Sequence, residues 1–167
     1  MTKQRSTFPL RALVTLALAW PLFTDLSPAV GSDAVAKIFE ATGVRGGLVV
    51  HLGCSDGKLT AGLGASEQYL VQGLDVDAER VQRARDHVQS LGLYGRVSID
   101  QFDGRRLPYV DNLVNLLVVE EAGEVPREEL LRVLAPEGVL YVKSGGTWTK
   151  TVKPRPNEID EWTHFLY

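Results

Sequence analysis

The chain has 167 residues, 44% hydrophobic and 23% charged, with a formal net charge of -3. That size and balance fit one globular core, and the mild acidity leaves no electrostatic footprint for nucleic acid; Arg105-Arg106 and Lys150 to Arg155 read as solvated surface. A single cysteine, Cys54, excludes an internal disulfide and a cysteine-cluster metal site, and His51, His87 and His164 are too scattered for a ligand set.

Lys3, Arg5 and Arg11 precede the apolar segment Ala12 to Trp20, which runs on through Leu22 and Phe23 to the small residues Ala29, Val30 and Gly31. This three-part pattern predicts a secretory leader over residues 1–31 and a periplasmic or secreted mature protein. The apolar part is short for a bilayer, so cleavage is expected rather than a lasting membrane span. An amphipathic or buried first helix, which would leave the chain cytoplasmic, is the alternative, but Pro9, Pro21 and Pro28 punctuate it badly.

From Ser32 a helix is expected: Ser32 or Asp33 can cap it, Val35, Ile38, Phe39 and Thr42 share a face, and Gly43 can close it. Leu48, Val49, Val50 and Leu52 form an apolar run too short for an ordinary helix and bounded by glycines, which predicts a buried strand. Gly53 and Gly57 then punctuate a loop where a ligand can lie against the main chain, and Lys58 to Leu63 reads as a short helix. Tyr69 to Asp75 is a second strand. Its acidic end is placed to accept hydrogen bonds from ribose hydroxyls, whereas Asp77 suits the cap of the next helix.

That helix spans Ala78 to Leu91, with Val81, Ala84, Val88 and Leu91 at helical spacing and Gly92 as its stop. Arg96 to Phe102 alternates as a third strand, and Asp103-Gly104 turns out of it. Leu113 to Val119 is a continuous apolar run, as expected of a central parallel strand, with Glu120 and Glu121 at its carboxyl end. A helix from Pro126 to Leu134, a turn at Ala135 to Gly138, and a fifth strand over Val139 to Val142 follow. Strand and helix alternate, which implies right-handed crossovers and a parallel α/β sheet. Ser144, Gly145, Gly146, Pro154 and Pro156 read as linker punctuation, so residues 149–167 are expected to be a linker and the start of a further region.

The sequence Val50-His51-Leu52-Gly53-Cys54-Ser55-Asp56-Gly57, the Gly73 to Asp77 stretch, Asp103, and Arg132 to Leu140 together resemble class I S-adenosylmethionine-dependent methyltransferases. The resemblance covers about Ser32 to Trp148. It implies a Rossmann-like three-layer sandwich with strand order 3-2-1-4-5, the family's last strands incomplete, and S-adenosylmethionine as cofactor. By the same resemblance the loop Gly53, Cys54, Ser55, Asp56, Gly57 supports the methionine part of the cofactor, Asp75 binds the ribose, and Val76 lies beside the adenine. Asp103, with Gly104 beside it, meets the adenine amino group, and Glu120 faces cofactor and acceptor.

Two positions depart from that pattern. His51 stands where the family has a first-strand acid, and Ser55 where it has a glycine. Each lost charged hydrogen bond costs about 1.5 to 3 kcal/mol, so cofactor binding is expected to be weakened. A methyltransferase-like module without catalysis is therefore the competing expectation. No catalytic base is evident; Glu120 is the single nominee, and a solvated strand terminus is its plain alternative. The acceptor is not legible.

Other nucleotide folds fit less well. A dinucleotide fingerprint fails because Ser55 replaces its second glycine, and a P-loop fails because Leu59 stands where the metal-binding hydroxyl belongs. Cys54 has no evident histidine partner and suits packing. Asn157 to Tyr167 is similar to the junction before a β-propeller of the pyrroloquinoline-quinone-binding type in some exported bacterial proteins.

Overall fold

The computed structural model describes residues 32–156. The expected leader and the propeller-like stretch Asn157 to Tyr167 lie outside the described residues. The elements are α1 (Ser32–Thr42), β1 (Gly47–Leu52), α2 (Lys58–Leu63), β2 (Tyr69–Asp75) and α3 (Ala78–Ser90). They continue as β3 (Val97–Gln101), β4 (Val114–Val119), α4 (Arg127–Val133), β5 (Leu134–Ser144) and β6 (Thr147–Val152).

Among the described residues the strands form one sheet in the order β3-β2-β1-β4-β5-β6. The first five are parallel and β6 pairs antiparallel with β5. Alternation along each strand sends side chains to two separate cores. Val49, Val71, Ile99, Leu116 and Val118 meet Ile38, Leu63, Ala84 and Val88 from α1, α2 and α3. Val50, Leu52, Leu74, Leu117 and Leu140 meet Leu130 and Val133 from α4. Burying each such side chain contributes about 1.5 to 3 kcal/mol, which is why the central strands read as unbroken apolar runs.

The expected faces are observed for α1 and, in α3, for Val81, Ala84 and Val88; Leu91, expected on that face, caps the helix end and is exposed. Phe39 of α1 stacks on Tyr69 with ring centroids 4.2 Å apart. Asp77 caps α3, its Oδ1 accepting from the N–H groups of Glu79 at 2.8 Å and Arg80 at 2.9 Å. Arg132 of α4 fastens the loop between β3 and β4, donating to the Tyr109 carbonyl at 2.9 Å and to Asp111 at 2.6 Å.

Two expectations about the end of the fold are corrected. The stretch expected to turn at Ala135 to Gly138 lies within β5, because Leu134 pairs with Val114 and Val139 with Leu116, leaving a bulge between. Glu137, at φ 65, sits in that bulge, and its N–H donates to the Lys153 carbonyl at 2.9 Å. Ser144 to Gly146 is not linker: it is a hairpin turn, and Thr147–Val152 adds a sixth strand to the sheet. The reason is visible in Trp148, which stacks on Tyr141 at 4.8 Å, and in Lys150, whose ammonium donates to the Ala41 and Thr42 carbonyls at the open end of α1.

Candidate functional site

Parallel strands leave their carboxyl ends at one rim, and the reversal of strand order between β1 and β4 opens a crevice there. The loop after β1 forms its floor. Gly53 has φ 78, and a β-carbon on it would sit 2.9 Å from the Glu121 nitrogen, so only glycine lets this loop approach the segment after β4. Gly57 has φ 77 and would place a β-carbon 2.9 Å from Ala84 Cα, so it seats the loop on α3. Ser55 also adopts a left-handed backbone, φ 48, at the place where the resemblance expects glycine. That conformation costs a non-glycine residue about 1 to 2 kcal/mol; its side chain is exposed, so the burden is backbone strain and not side-chain crowding.

Asp75, at the tip of β2, is 2% exposed. Its Oδ2 accepts from the Ser55 N–H at 3.3 Å and its Oδ1 from the Asp77 N–H at 3.1 Å, which ties the floor loop to the second strand. Asp75 also lies 3.9 Å from the Arg80 guanidinium. Together with Gly53, Val76, Phe102, Glu121, Ala122 and Gly123 it lines a slot of about 50 Å³. That is far below the roughly 300 Å³ of a usual small-molecule site, so a ligand must part its walls. Glu121 of that slot pairs with the Arg80 guanidinium at 2.7 Å, and the two side chains are 66% and 36% exposed.

The other sequence candidates divide. Asp56 faces outward, pairing with the Lys58 ammonium at 2.8 Å, and this bond holds its carboxyl below the usual range. Asp103 is exposed, and its Oδ1 accepts from the Arg105 and Arg106 N–H groups at 2.9 Å each, which lowers its carboxyl likewise. Asp103 thus shapes its own loop. Gly104 behind it is buried against Val76, whose Cγ1 would lie 2.9 Å from an added β-carbon. Cys54 is buried, and desolvation foremost, then the Asp75 charge, pushes its thiol up to about 12, so it packs as a neutral group.

On the far side of Gly53 the crevice widens into a cavity of about 480 Å³, with Ser55, Arg80, Glu120, Glu121, Lys143 and the Gly145–Gly146 turn around it. His51, fully buried, sets its Nδ1 2.8 Å from the Thr60 hydroxyl. Its Nε2 is 3.5 Å from Glu120 Oε2 and has no hydrogen-bond partner among the described residues. Glu120 in turn accepts from the Lys143 ammonium at 2.8 Å. His51 and Lys143 hold the Glu120 carboxyl down at about 2, His51 foremost. Arg80, Phe102 and Lys143 were missed from sequence. Lys143 shows itself only in the register: Val119 pairs with Val142, so the next residues, Glu120 and Lys143, stand side by side.

A glycine-floored crevice at the reversal point of a 3-2-1-4-5 sheet, with an acid ending β2, is the arrangement in which open α/β domains hold nucleotides. The chain belongs to the methyltransferase domain family, whose model matches residues 49–138. It is 32% identical over 133 residues to "Methyltransferase GfsG" of Streptomyces halstedii, covering 74% of this chain and 48% of that one. The chain spans about half or less of the length of the curated relatives it matches. A SAM dependent methyltransferase from Aquifex aeolicus is similar at 26% identity and TM-score 0.58, over 65% of this chain and 62% of that one. So is the [4+2]-cyclase SpnF, at 27% identity and TM-score 0.60, over 66% of this chain and 43% of that one.

Proposed function

We propose that the crevice binds S-adenosylmethionine and that the chain transfers its methyl group to an acceptor. The observation that carries this reading is Asp75: a nearly buried carboxylate, bonded to the floor loop, at the β2 position where a ribose is held. Each of its oxygens accepts one backbone bond, and a carboxylate has about four acceptor sites, so capacity remains for two ribose hydroxyls. The bound cofactor supplies an already activated methyl. What the protein adds is placement of the acceptor in line and exclusion of water, with no base required.

Calorimetric titration of the full chain with S-adenosylhomocysteine tests this. Micromolar binding that Asp75→Asn weakens about tenfold or more supports it, at about 1.5 to 3 kcal/mol for a charged hydrogen bond. No heat at millimolar ligand contradicts it. That outcome favours the second reading, a module without catalysis, which the closed 50 Å³ slot and His51 in place of a first-strand acid also favour. The fold alone does not choose between chemistries, since one similar structure is a cyclase.

A leader over residues 1–31 and an exported location rest on the sequence pattern. Amino-terminal sequencing of protein recovered from cells tests them: a start near Ser32 supports cleavage and an intact Met1 contradicts it. A propeller beyond Tyr167 in the parent protein rests on the similarity of Asn157 to Tyr167, and reading the gene downstream tests it.

A further inference from the structure

The proposed function leaves the charged half of the crevice unassigned. His51, Glu120 and Lys143 come from β1, the end of β4 and β5, and the register puts all three on one face: His51 pairs with Val118 and Val118 with Tyr141. Glu120 and Lys143 then sit two residues further towards the rim, beside Gly53 and Ser55. Behind them the buried Nε2 of His51 points at Glu120 without a close partner. Nδ1 faces the Thr60 hydroxyl, and whenever Nε2 carries a proton His51 presents a donor towards the Glu120 carboxylate. While paired with Glu120, the Lys143 ammonium also lies 5.7 Å from the centre of the Trp148 ring, so Trp148 flanks the pair.

We propose that the Glu120–Lys143 ion pair is a clamp for a zwitterion, opening so that Glu120 takes the α-ammonium and Lys143 the α-carboxylate of the ligand's amino-acid end. This rests on the reading of the crevice as an S-adenosylmethionine site. The exchange keeps every charge paired: two protein charges part, and each meets an opposite charge on the ligand. It needs little work, because an exposed pair of this kind is worth only about 0 to 1 kcal/mol. It also answers the missing first-strand acid, since the carboxylate has moved one strand over and His51, in the vacated position, holds it from behind. Glu120 and Lys143 touch the ligand; His51 is a positioning residue.

The test compares two probes on the full chain by calorimetry: S-adenosylhomocysteine, and 5′-methylthioadenosine, which keeps the adenosine and sulfur but lacks the amino-acid end. The wild-type chain is expected to bind the first at least about tenfold more tightly. Glu120→Gln and Lys143→Met are each expected to weaken S-adenosylhomocysteine about 10- to 100-fold while changing methylthioadenosine less than about twofold. His51→Gln is expected to follow the same selective pattern. Equal losses for both probes would show a structural role and overturn the clamp, with methylthioadenosine binding serving as the check on folding. Tighter S-adenosylhomocysteine binding by Lys143→Met would make Lys143 a plug and overturn it too. A wild-type chain that binds both probes equally sinks the clamp alone, and one that binds neither sinks the function as well.

Discussion

The two halves of the crevice are built differently. On the β2 side Asp75 is 2% exposed and answered by backbone N–H groups of Ser55 and Asp77. On the β4 side the side chains of Glu120, Lys143 and Glu121 are 27%, 43% and 66% exposed and are answered by other side chains. Backbone partners cannot swing away, and a buried carboxylate without them is heavily penalised; exposed ion pairs exchange partners at little cost. The Asp75 anchor is therefore fixed, although its slot must still open, and the β4 side is built to rearrange, as a site needs when its ligand pairs a rigid nucleoside with a flexible charged tail.

Mutations that break this contrast rank by how far they reach into the rigid half. Gly57→Ala is expected to cost about 2 to 4 kcal/mol, combining left-handed strain with a β-carbon 2.9 Å from Ala84 Cα. Gly123→Ala, at φ 57 with nothing within 4 Å, is expected to cost only the strain, about 1 to 2 kcal/mol. Urea denaturation of the pair measures both, and equal losses would mean that the loop does not lean on α3. Next, Asp75→Ala is expected to lose about 1 to 3 kcal/mol by stranding two backbone donors, read by the same method.

The adjustable half predicts smaller effects. Glu120 is held at about 2 from its ordinary 4.5, by His51 and then Lys143. A depressed carboxylate stabilises the fold above pH 4.5 and withdraws that contribution as the pH falls towards 2. Glu120→Gln is expected to flatten this stretch of the acid limb in denaturation midpoints; limbs that stay parallel would contradict the coupling. Smallest of all, Glu121→Gln is expected to change stability by less than about 1 kcal/mol, because its pair with Arg80 is exposed. A larger loss would place the Arg80–Glu121 wall in the rigid half.

The same division explains what the sequence disclosed. The rigid half was legible: Leu48 to Leu52 and Val114 to Val119 are short apolar runs with glycine or acid at their ends, and Asp75 ends its strand where a ribose-binding acid belongs. The spans of α1, α2 and α3 followed from spacing, and the sheet order from the resemblance to class I methyltransferases. The adjustable half was not, because it depends on register across three strands, and no run of neighbouring residues reports that Glu120 stands beside Lys143. Asp103 was legible as a residue but not in its orientation, which its bonds to Arg105 and Arg106 decide. The sixth strand hid for another reason. Its burial pattern does not alternate, Trp148 is its main apolar residue, and a Gly-Gly pair serves linkers and hairpins alike.

Backbone amide shifts on titration with S-adenosylhomocysteine probe the central claim most directly, since they report where a ligand lies without requiring turnover. The account predicts changes concentrated at Gly53 to Gly57, Asp75 to Asp77, Gly104 and Glu120 to Gly123. The opposite rim of the sheet, around Thr42 to Gly46 and Gly138, should stay silent. An unchanged spectrum at millimolar ligand, or shifts gathered at that opposite rim, would contradict it.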